Sequence, residues 1–153
     1  MGVTGKHLLV LGGTSASLDL VKQARLMGVR TLVTDEADVS VRPAKQLADA
    51  CASVSTTDYD ALAALIREKH IDGVFCGPSE FNIRNMINLC ERAHIRCYAD
   101  SETWNRCANK DVFKRYCREY GVDCTPEFGV DENSSDEELK ALSYPVRQYL
   151  GRF

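Results

Sequence analysis

Two turns in the sequence combine glycines with polar side chains in a way that suits binding of a small anionic ligand. Gly12, Gly13 and Thr14 follow the first predicted strand, and Ser79 and Glu80 follow the fourth. Glycines let the backbone approach a phosphate or carboxylate, and the start of the next helix supplies oriented N–H donors. Because ligands of parallel sheets collect at the carboxyl ends of the strands, we predict that these five residues contribute to a substrate site. The alternative is that Gly12 and Gly13 only make a tight turn between strand and helix.

The second predicted strand ends in an acid, Asp35, about where a dinucleotide-binding domain places one on a ribose hydroxyl. The glycine fingerprint of such domains fails, however. Starting from Gly12 it requires glycines at the third and sixth positions, which are occupied by Thr14 and Ser17. The sequence therefore does not indicate an NAD site.

Other polar residues give weaker indications of a site. Arg84 and Asn85 lie one helical turn after the fourth strand's turn, where we expect an exposed helix face, with a contact to an acidic small molecule as the alternative. His7, His70 and His94 lie at the ends of predicted elements, and none has a serine or cysteine partner positioned by the sequence. A nucleophile–histidine–acid triad is therefore not predicted, and we assign no catalytic residue.

A cation at the start of a predicted helix is the most suggestive residue of the C-terminal part. Asn109 is a good N-cap, and Lys110 follows it in the first turn, where the helix dipole disfavours positive charge. A lysine at this unfavourable position indicates that it binds an anionic ligand such as a phosphate. Gly121 ends this helix, and Pro126 fixes an extended exit from it.

The cysteine pattern argues against both a metal site and a disulfide framework. The chain has seven cysteines, an odd number, with no C-x-x-C pair, and only three histidines accompany them. Most lie within predicted helices and strands. We expect reduced, mostly buried thiols and no metal ion.

Short apolar strands alternate with helices along most of the chain, which predicts a parallel sheet with right-handed crossovers. The predicted fold class is α/β, a Rossmann-like three-layer sandwich over residues 6 to about 100. Strands are predicted at 7–11, 30–34, 52–54, 72–76 and 95–98. Helices are predicted between Ser17 and Gly28 and at 43–50, 59–70, 81–93, 109–120 and 137–142.

Length and composition set the broad class. With 153 residues, 44% of them hydrophobic, the chain is long enough for one domain with its own core. The net charge of −3 gives no reason to expect a nucleic-acid partner. No apolar run approaches the roughly 20 residues that cross a bilayer, and the N-terminus lacks the layout of a signal peptide. We therefore expect a cytoplasmic protein without a membrane partner.

Three segments together resemble the ATP-grasp superfamily. The segment Asn-Lys-Asp-x-Phe-Lys-x-x-Cys-x-x-x-Gly-Val-x-x-x-Pro-x-Phe at 109–128 resembles the hinge between the first two domains of ATP-grasp ligases. Leu-Val-Leu-Gly-Gly-Thr at 9–14 resembles the first strand and turn of the pre-ATP-grasp domain, and Gly-Val-Phe-Cys-Gly-Pro-Ser-Glu-Phe-Asn at 73–82 its fourth strand and loop. The similarity is closest to proteins like the large chain of carbamoyl-phosphate synthetase.

The resemblance implies a domain organisation and a chemistry. It divides the chain into a pre-ATP-grasp domain at 1–107, a hinge helix and connector at 108–128, and the start of an ATP-grasp small subdomain at 129–153. The implied reaction is ATP-dependent ligation of a carboxylate, through an acyl-phosphate, to an amine or similar nucleophile. ATP and Mg²⁺ are the cofactors of the full-length family, whose substrates are small molecules. Lys110 matches the hinge lysine that reaches the nucleotide phosphates.

The last residues depart from the family pattern. In relatives a Tyr-Pro-Val sequence is followed by a strand with an ATP-binding lysine and then by a glycine-rich flap. Here Tyr144-Pro145-Val146 is followed by seven residues that contain neither feature. We therefore expect a truncated ATP-grasp protein that is inactive by itself, with no cofactor assigned to the chain alone.

Two alternatives remain open on the sequence. The chain is a stand-alone nucleotide- or metabolite-binding Rossmann module without catalysis, or a structural fragment that docks on a partner because its missing domains leave apolar surface bare. The substrate of the parent ligase and the oligomeric state are not readable from the residues.

Overall fold

A computed structural model describes residues 2–125, 130 and 133–142 of the chain. It divides the chain into two compact units, residues 1–112 and 113–153. The predicted boundaries at 107 and 128 stay predictions. Pro126 and Tyr144-Pro145-Val146, to which the sequence assigned an extended exit and a family motif, lie outside the described residues.

The first unit contains a sheet with helices on both sides, in the order expected from the sequence. Its strands are β1 (His7–Leu11), β2 (Arg30–Thr34), β3 (Ala50–Ala52) and β4 (Gly73–Cys76). Its helices are α1 (Leu18–Leu26), α2 (Pro43–Leu47), α3 (Tyr59–Glu68), α4 (Glu80–Ala93) and α5 (Ser101–Ala108), with short 3-10 turns at Ser15–Ser17 and Val39–Val41. Helix α6 (Lys110–Glu119) runs across the division between the units.

The sheet has the order β3-β2-β1-β4, and every neighbouring pair is parallel. β1 lies in the interior, with Val10 opposite Val33 of β2 and Phe75 of β4. Because side chains alternate along a strand, Leu9 and Leu11 face one side of the sheet and Val10 the other. All three are fully buried, which confirms the predicted three-layer α/β fold with apolar residues on both faces of β1.

Each face of the sheet is covered by its own pair of helices. Leu9 and Leu11 belong to a cluster that includes residues of α3 and α4, among them Leu62 and Met86. Val10 belongs to a second cluster with residues of α1 and α2. The sandwich therefore brings the carboxyl ends of β1, β2 and β4 to one edge, with helices fixed on both sides of it.

The predicted fifth strand at 95–98 is wrong: among the described residues, the sheet has four strands. His94 ends α4 in the left-handed conformation (φ 54°), and the Ile95 amide donates to the Cys90 carbonyl at 3.0 Å. That amide serves the helix-ending turn instead of a ladder with β4. The apolar residues of this segment resemble a strand in sequence because their side chains pack on the fold. Ile95 packs on the core, and the ring centroids of Tyr98 and Phe75 lie 5.5 Å apart.

β3 lies two residues earlier than predicted, at Ala50–Ala52 in place of 52–54. The Val54 carbonyl accepts a hydrogen bond from the Thr34 hydroxyl at 2.7 Å. A side chain of the neighbouring strand therefore occupies an acceptor that a longer β3 would use. The local pattern does not contain this tertiary contact.

Helix α5 was not predicted. Its N-cap is Asp100, whose carboxylate accepts a hydrogen bond from the Thr103 amide at 2.7 Å. Aspartate followed by Ser-Glu-Thr is a typical helix start, so the signal was present in the sequence. The helix extends the first unit to the residues directly before α6.

The second unit contains the rest of α6 and α7 (Asp136–Lys140). α7 begins with a capping box, in which Ser135 and Glu138 exchange side-chain and backbone hydrogen bonds. It starts one residue earlier and ends two residues earlier than the predicted 137–142. Within the described part of the chain, no helix has the length and apolar character that crossing a membrane requires.

Candidate functional site

The turn after β1 is fixed to the end of β2 by its own amides. Gly12 has a φ of 90°, a conformation that glycine adopts without strain, and its N–H donates to the Thr34 carbonyl at 2.9 Å. The N–H of Gly13 donates to Oδ2 of Asp35, also at 2.9 Å. Both glycine amides therefore hold the turn in place. An anion at this turn would rely on the following N–H groups, at the start of the helical segment.

Asp35 is an internal anchor of this edge. Its second oxygen, Oδ1, accepts hydrogen bonds from Nε of Arg42 at 2.8 Å and from the Ala37 amide at 3.0 Å. Burial opposes ionisation of Asp35, but the Arg42 guanidinium and the Gly13 and Ala37 amides outweigh it and hold the pKa of this carboxyl below its usual range. The position that suggested a ribose-binding acid is thus occupied by a structural carboxylate.

A buried lysine holds the backbone of the same segment, residues 35–37. Lys45 of α2 is only 3% exposed, and its ammonium donates to the carbonyls of Asp35 and Ala37 at 2.9 and 2.8 Å and to Oγ of Ser53 at 3.3 Å. These partners replace the water that a buried charge loses. Gly13 packs directly on this helix, because a Cβ there would lie 3.0 Å from Lys45 Cγ.

Arg42 and Lys45 were not among the site residues predicted from the sequence. Their signal was a pair of basic residues three positions apart, shortly after the acidic end of β2. Helical spacing would place both on one face of a short helix. That this face would meet Asp35 depends on how α2 packs on the sheet.

The turn after β4 packs against the turn after β1. A Cβ at Gly77 would lie 2.9 Å from the Ala16 carbonyl oxygen and 3.3 Å from Oγ of Ser17, so only a glycine fits here without a shift. Ser79 caps α4, with its hydroxyl accepting from the Asn82 amide at 3.3 Å. The Asn82 side chain in turn reaches the first turn, since its Nδ2 would lie 2.6 Å from a Cβ at Gly12.

The structure therefore brings five of the predicted site residues to one edge of the sheet. Gly12 and Gly13 are buried, Ser79 is half-buried, and Thr14 and Glu80 expose their side chains to solvent. This arrangement offers a hydroxyl from one turn and a carboxylate from the other beside two helix starts. Their part in ligand binding stays a prediction.

The sixth predicted residue, Lys110, is the first residue of α6 and is exposed. The helix start is formed as expected, because Oδ1 of Asn109 accepts from the amides of Asp111 and Val112, both at 3.1 Å. Lys110 therefore lies in the first turn of a capped helix. Phosphate binding by Lys110 stays a prediction.

Asn85 does not lie on an exposed helix face. It is 4% exposed, its Oδ1 accepts from the Tyr59 hydroxyl at 2.9 Å, and its Nδ2 donates to Oγ1 of Thr56 at 3.4 Å. The exposed helix face predicted for this residue is therefore wrong, because its amide joins α4 to α3. Arg84 is exposed, as predicted.

No protein-family model matches the chain. Over 142 residues it is 25% identical to the formate-dependent phosphoribosylglycinamide formyltransferase of Sulfurisphaera tokodaii, a match that covers 92% of this chain and 35% of that protein. The chain thus spans about a third of the length of the curated relatives it matches.

Solved structures show the same fold. Phosphoribosylglycinamide synthetase from Anaerococcus prevotii matches with a TM-score of 0.65 at 24% identity, over 92% of this chain and 35% of that one. N5-carboxyaminoimidazole synthetase from Staphylococcus aureus, complexed with ADP, matches with a TM-score of 0.61 at 17% identity, over 80% and 31%. The first unit has the fold of the N-terminal domain of ATP-grasp proteins, as the resemblance implied.

The relatives do not narrow the fold to one subfamily or activity. Their names are those of a formyltransferase and of ribonucleotide-related synthetases, and they give no support to the predicted likeness to carbamoyl-phosphate synthetase. Truncation before an ATP-binding core, and inactivity of the chain alone, stay predictions.

Proposed function

We propose that this chain provides the N-terminal domain of an ATP-grasp ligase and that the edge formed by the β1 and β4 turns is part of its acceptor-substrate site. The observation that carries the proposal is the direct contact between these two turns. The Asp35 carboxylate fixes the β1 turn, because it accepts hydrogen bonds from the Gly13 amide and from Arg42. A rigid edge with exposed Thr14 and Glu80 can orient a small polar substrate without first ordering a loop.

The relatives favour a phosphoribosyl amine as the substrate class. Their names contain phosphoribosylglycinamide and N5-carboxyaminoimidazole. The start of the helical segment after Thr14 suits a phosphate, since helix N-termini bind anions, and the Glu80 carboxylate suits an amine in its cationic form. In the proposed parent reaction ATP phosphorylates a carboxylate, and the substrate amine then displaces phosphate from the acyl-phosphate.

Lys110 is the residue that we propose for the nucleotide phosphates. Its ammonium at the start of α6 is a point charge of the kind that binds phosphate. Among the residues that the structure describes, no group of histidine, cysteine and acidic side chains is arranged to hold a metal ion, so we assign Mg²⁺ to none of them.

A titration with phosphoribosylglycinamide, followed by amide NMR shifts, tests the substrate site. We expect the shifts to concentrate at residues 12–17 and 77–82. Glu80→Gln should weaken binding several-fold, whereas Glu68→Gln, on the exposed end of α3, should leave it unchanged. Shifts spread over the surface, or equal affinity of the two variants, would refute the assignment.

The second candidate is a stand-alone nucleotide- or metabolite-binding module. It is favoured by the buried clusters on both faces of the first unit's sheet, which give this unit a core of its own. Calorimetric titration with MgATP separates the two. Binding that is undetectable or millimolar supports a ligase domain that needs further parts, and a clear micromolar isotherm supports the module.

A further inference from the structure

Three cysteines belong to the apolar cluster on the α3 and α4 side of the sheet, two as buried members and one packed against them. Cys76 of β4 and Cys90 of α4 are 3% and 1% exposed, and Cys97 of the 95–98 segment is half-buried. Burial and the neighbouring Cys97 raise the pKa of Cys76 to about 11 and that of Cys90 to about 12. The two buried residues are therefore held as neutral thiols.

Two of the three thiols line one cleft. This cleft has a volume of about 280 Å³, and its walls include Cys90 and Cys97 together with Tyr98, Asp100 and Thr103. Cys97 also packs against the apolar cluster that contains Cys90. Cys76 is not part of the lining. A small reagent that enters the cleft therefore lies between walls that include both Cys90 and Cys97.

We propose that Cys90 and Cys97 form a dithiol site that a small peroxide converts into a disulfide. The site is separate from the proposed substrate edge and does not depend on it. It needs a reagent small enough for the cleft, and hydrogen peroxide is such a reagent.

The reaction balances with peroxide as the only oxidant. The Cys97 thiolate attacks one peroxide oxygen, the O–O bond breaks, and the departing hydroxide takes the thiol proton and leaves as water. The sulfenic acid on Cys97 is then attacked by the sulfur of Cys90, which gives up its proton to the leaving hydroxide. Two thiols and one peroxide thus give one disulfide and two waters.

The disulfide would fix a segment that the sheet does not hold. Residues 95–98 make no strand ladder with β4 and are attached through side chains such as those of Ile95 and Tyr98. A bond from Cys97 to Cys90 would tie this segment to α4, directly before α5 begins. We expect oxidation to raise the melting temperature by a few degrees, because the closed loop is short.

Peptide mapping of the full chain tests the proposal. Trypsin cuts after Arg84, Arg92 and Arg96, so Cys76, Cys90 and Cys97 lie on three different peptides. After treatment of the folded protein with hydrogen peroxide and alkylation of free thiols, we expect a linked peptide pair, 85–92 with 97–106, lighter by two hydrogens. Linkage through Cys76, or sulfinic acid on Cys97 beside a free Cys90, would overturn the proposal.

Cysteine variants test whether the linkage involves Cys97 and not the other thiols. Replacing Cys51, Cys107 and Cys124, which are exposed or half-buried, by serine removes competing thiols and should leave the linkage intact. In that background Cys97→Ser should abolish the loss of two hydrogens, and Cys76→Ala should not. Circular dichroism checks that each variant folds. If Cys97→Ser does not fold, the peptide map of the parent protein still decides.

Discussion

At the scale of single residues, the most consequential side chain is Asp35, which the β1 turn, the segment after β2 and helix α2 all contact. Its carboxylate accepts from the Gly13 and Ala37 amides and from Arg42. Asp35→Asn keeps the shape but replaces one acceptor oxygen by a donor, so buried donors lose their partner. We expect the free energy of unfolding to fall by about 1–3 kcal/mol, measured by urea denaturation.

Asp19→Asn is the matched control. Its carboxylate is 89% exposed and pairs only with Lys22, three residues away on the surface of α1. Surface pairs of this kind contribute little, so the change should stay within about 0.5 kcal/mol. Equal effects of the two substitutions would show that the Asp35 contacts do not hold the edge together.

The Asp35 contribution should also depend on pH in a defined direction. Its folded pKa lies below the ordinary value because of Arg42 and the two amides, despite burial. A carboxyl with a lowered folded pKa stabilises fully above its unfolded pKa of about 3.9, and this stabilisation is lost as pH falls through the folded pKa. The difference between the parent protein and Asp35→Asn should therefore be constant above about pH 5 and shrink below about pH 4. A gap that grows on acidification would contradict the assignment.

Gly13 tests the packing of α2 on this edge. An alanine Cβ would lie 3.0 Å from Arg42 Cβ and from Lys45 Cγ, and the three hydrogen bonds of the Lys45 ammonium leave its side chain little room to move. We expect Gly13→Ala to cost about 1–3 kcal/mol in thermal or urea unfolding. Gly73→Ala, where the nearest atom is 3.8 Å away, should cost clearly less.

At the scale of elements, the sequence pattern predicted most of the layers but few of the long-range contacts. β1 and β2 occupy the predicted residues because a strand buried on both faces leaves a continuous apolar run in the sequence. β3 ends before Val54, whose carbonyl accepts from the Thr34 hydroxyl, and 95–98 lacks a ladder because its first amide closes α4. Neither partner is visible in a short window of sequence.

The location of the candidate site could be predicted from the sequence, but the hydrogen-bond partners within it could not. The Gly12 and Ser79 turns could be placed at one edge, because parallel topology fixes where strands end. The partners of Asp35 could not, because Arg42 and Lys45 reach it only once α2 is packed on the sheet. Local pattern thus located the edge, and tertiary packing determined which groups there are already engaged.

Helices α3 and α4 are joined by hydrogen bonds between Tyr59, Asn85 and Asn88. The Tyr59 hydroxyl donates to the buried Asn85 and accepts from Nδ2 of Asn88 at 3.2 Å. Tyr59→Phe leaves the Asn85 oxygen without this donor, and we expect a loss of about 1–3 kcal/mol in unfolding free energy. Tyr98→Phe, on a ring that is 62% exposed, should be close to neutral. A neutral Tyr59→Phe would mean that water replaces the lost bond.

At the scale of the whole molecule, stability should be highest at β1 and fall towards the sheet's β4 side. β1 is paired on both edges and is covered on both faces, with Leu9, Val10 and Leu11 fully buried. β4 is paired with β1 alone within the described sheet, and Phe75 on it remains 41% exposed. The proposed substrate edge therefore joins the most stable strand to one of the less protected ones.

Native-state hydrogen exchange measures this gradient. We expect the β1 amides to exchange only through global unfolding, because any smaller opening leaves their pairing with β2 and β4 intact. The amides of residues 96–98 lie outside the sheet and should exchange faster by on the order of 100-fold or more. If they are instead protected as strongly as β1, the segment pairs with β4 in solution as a fifth strand.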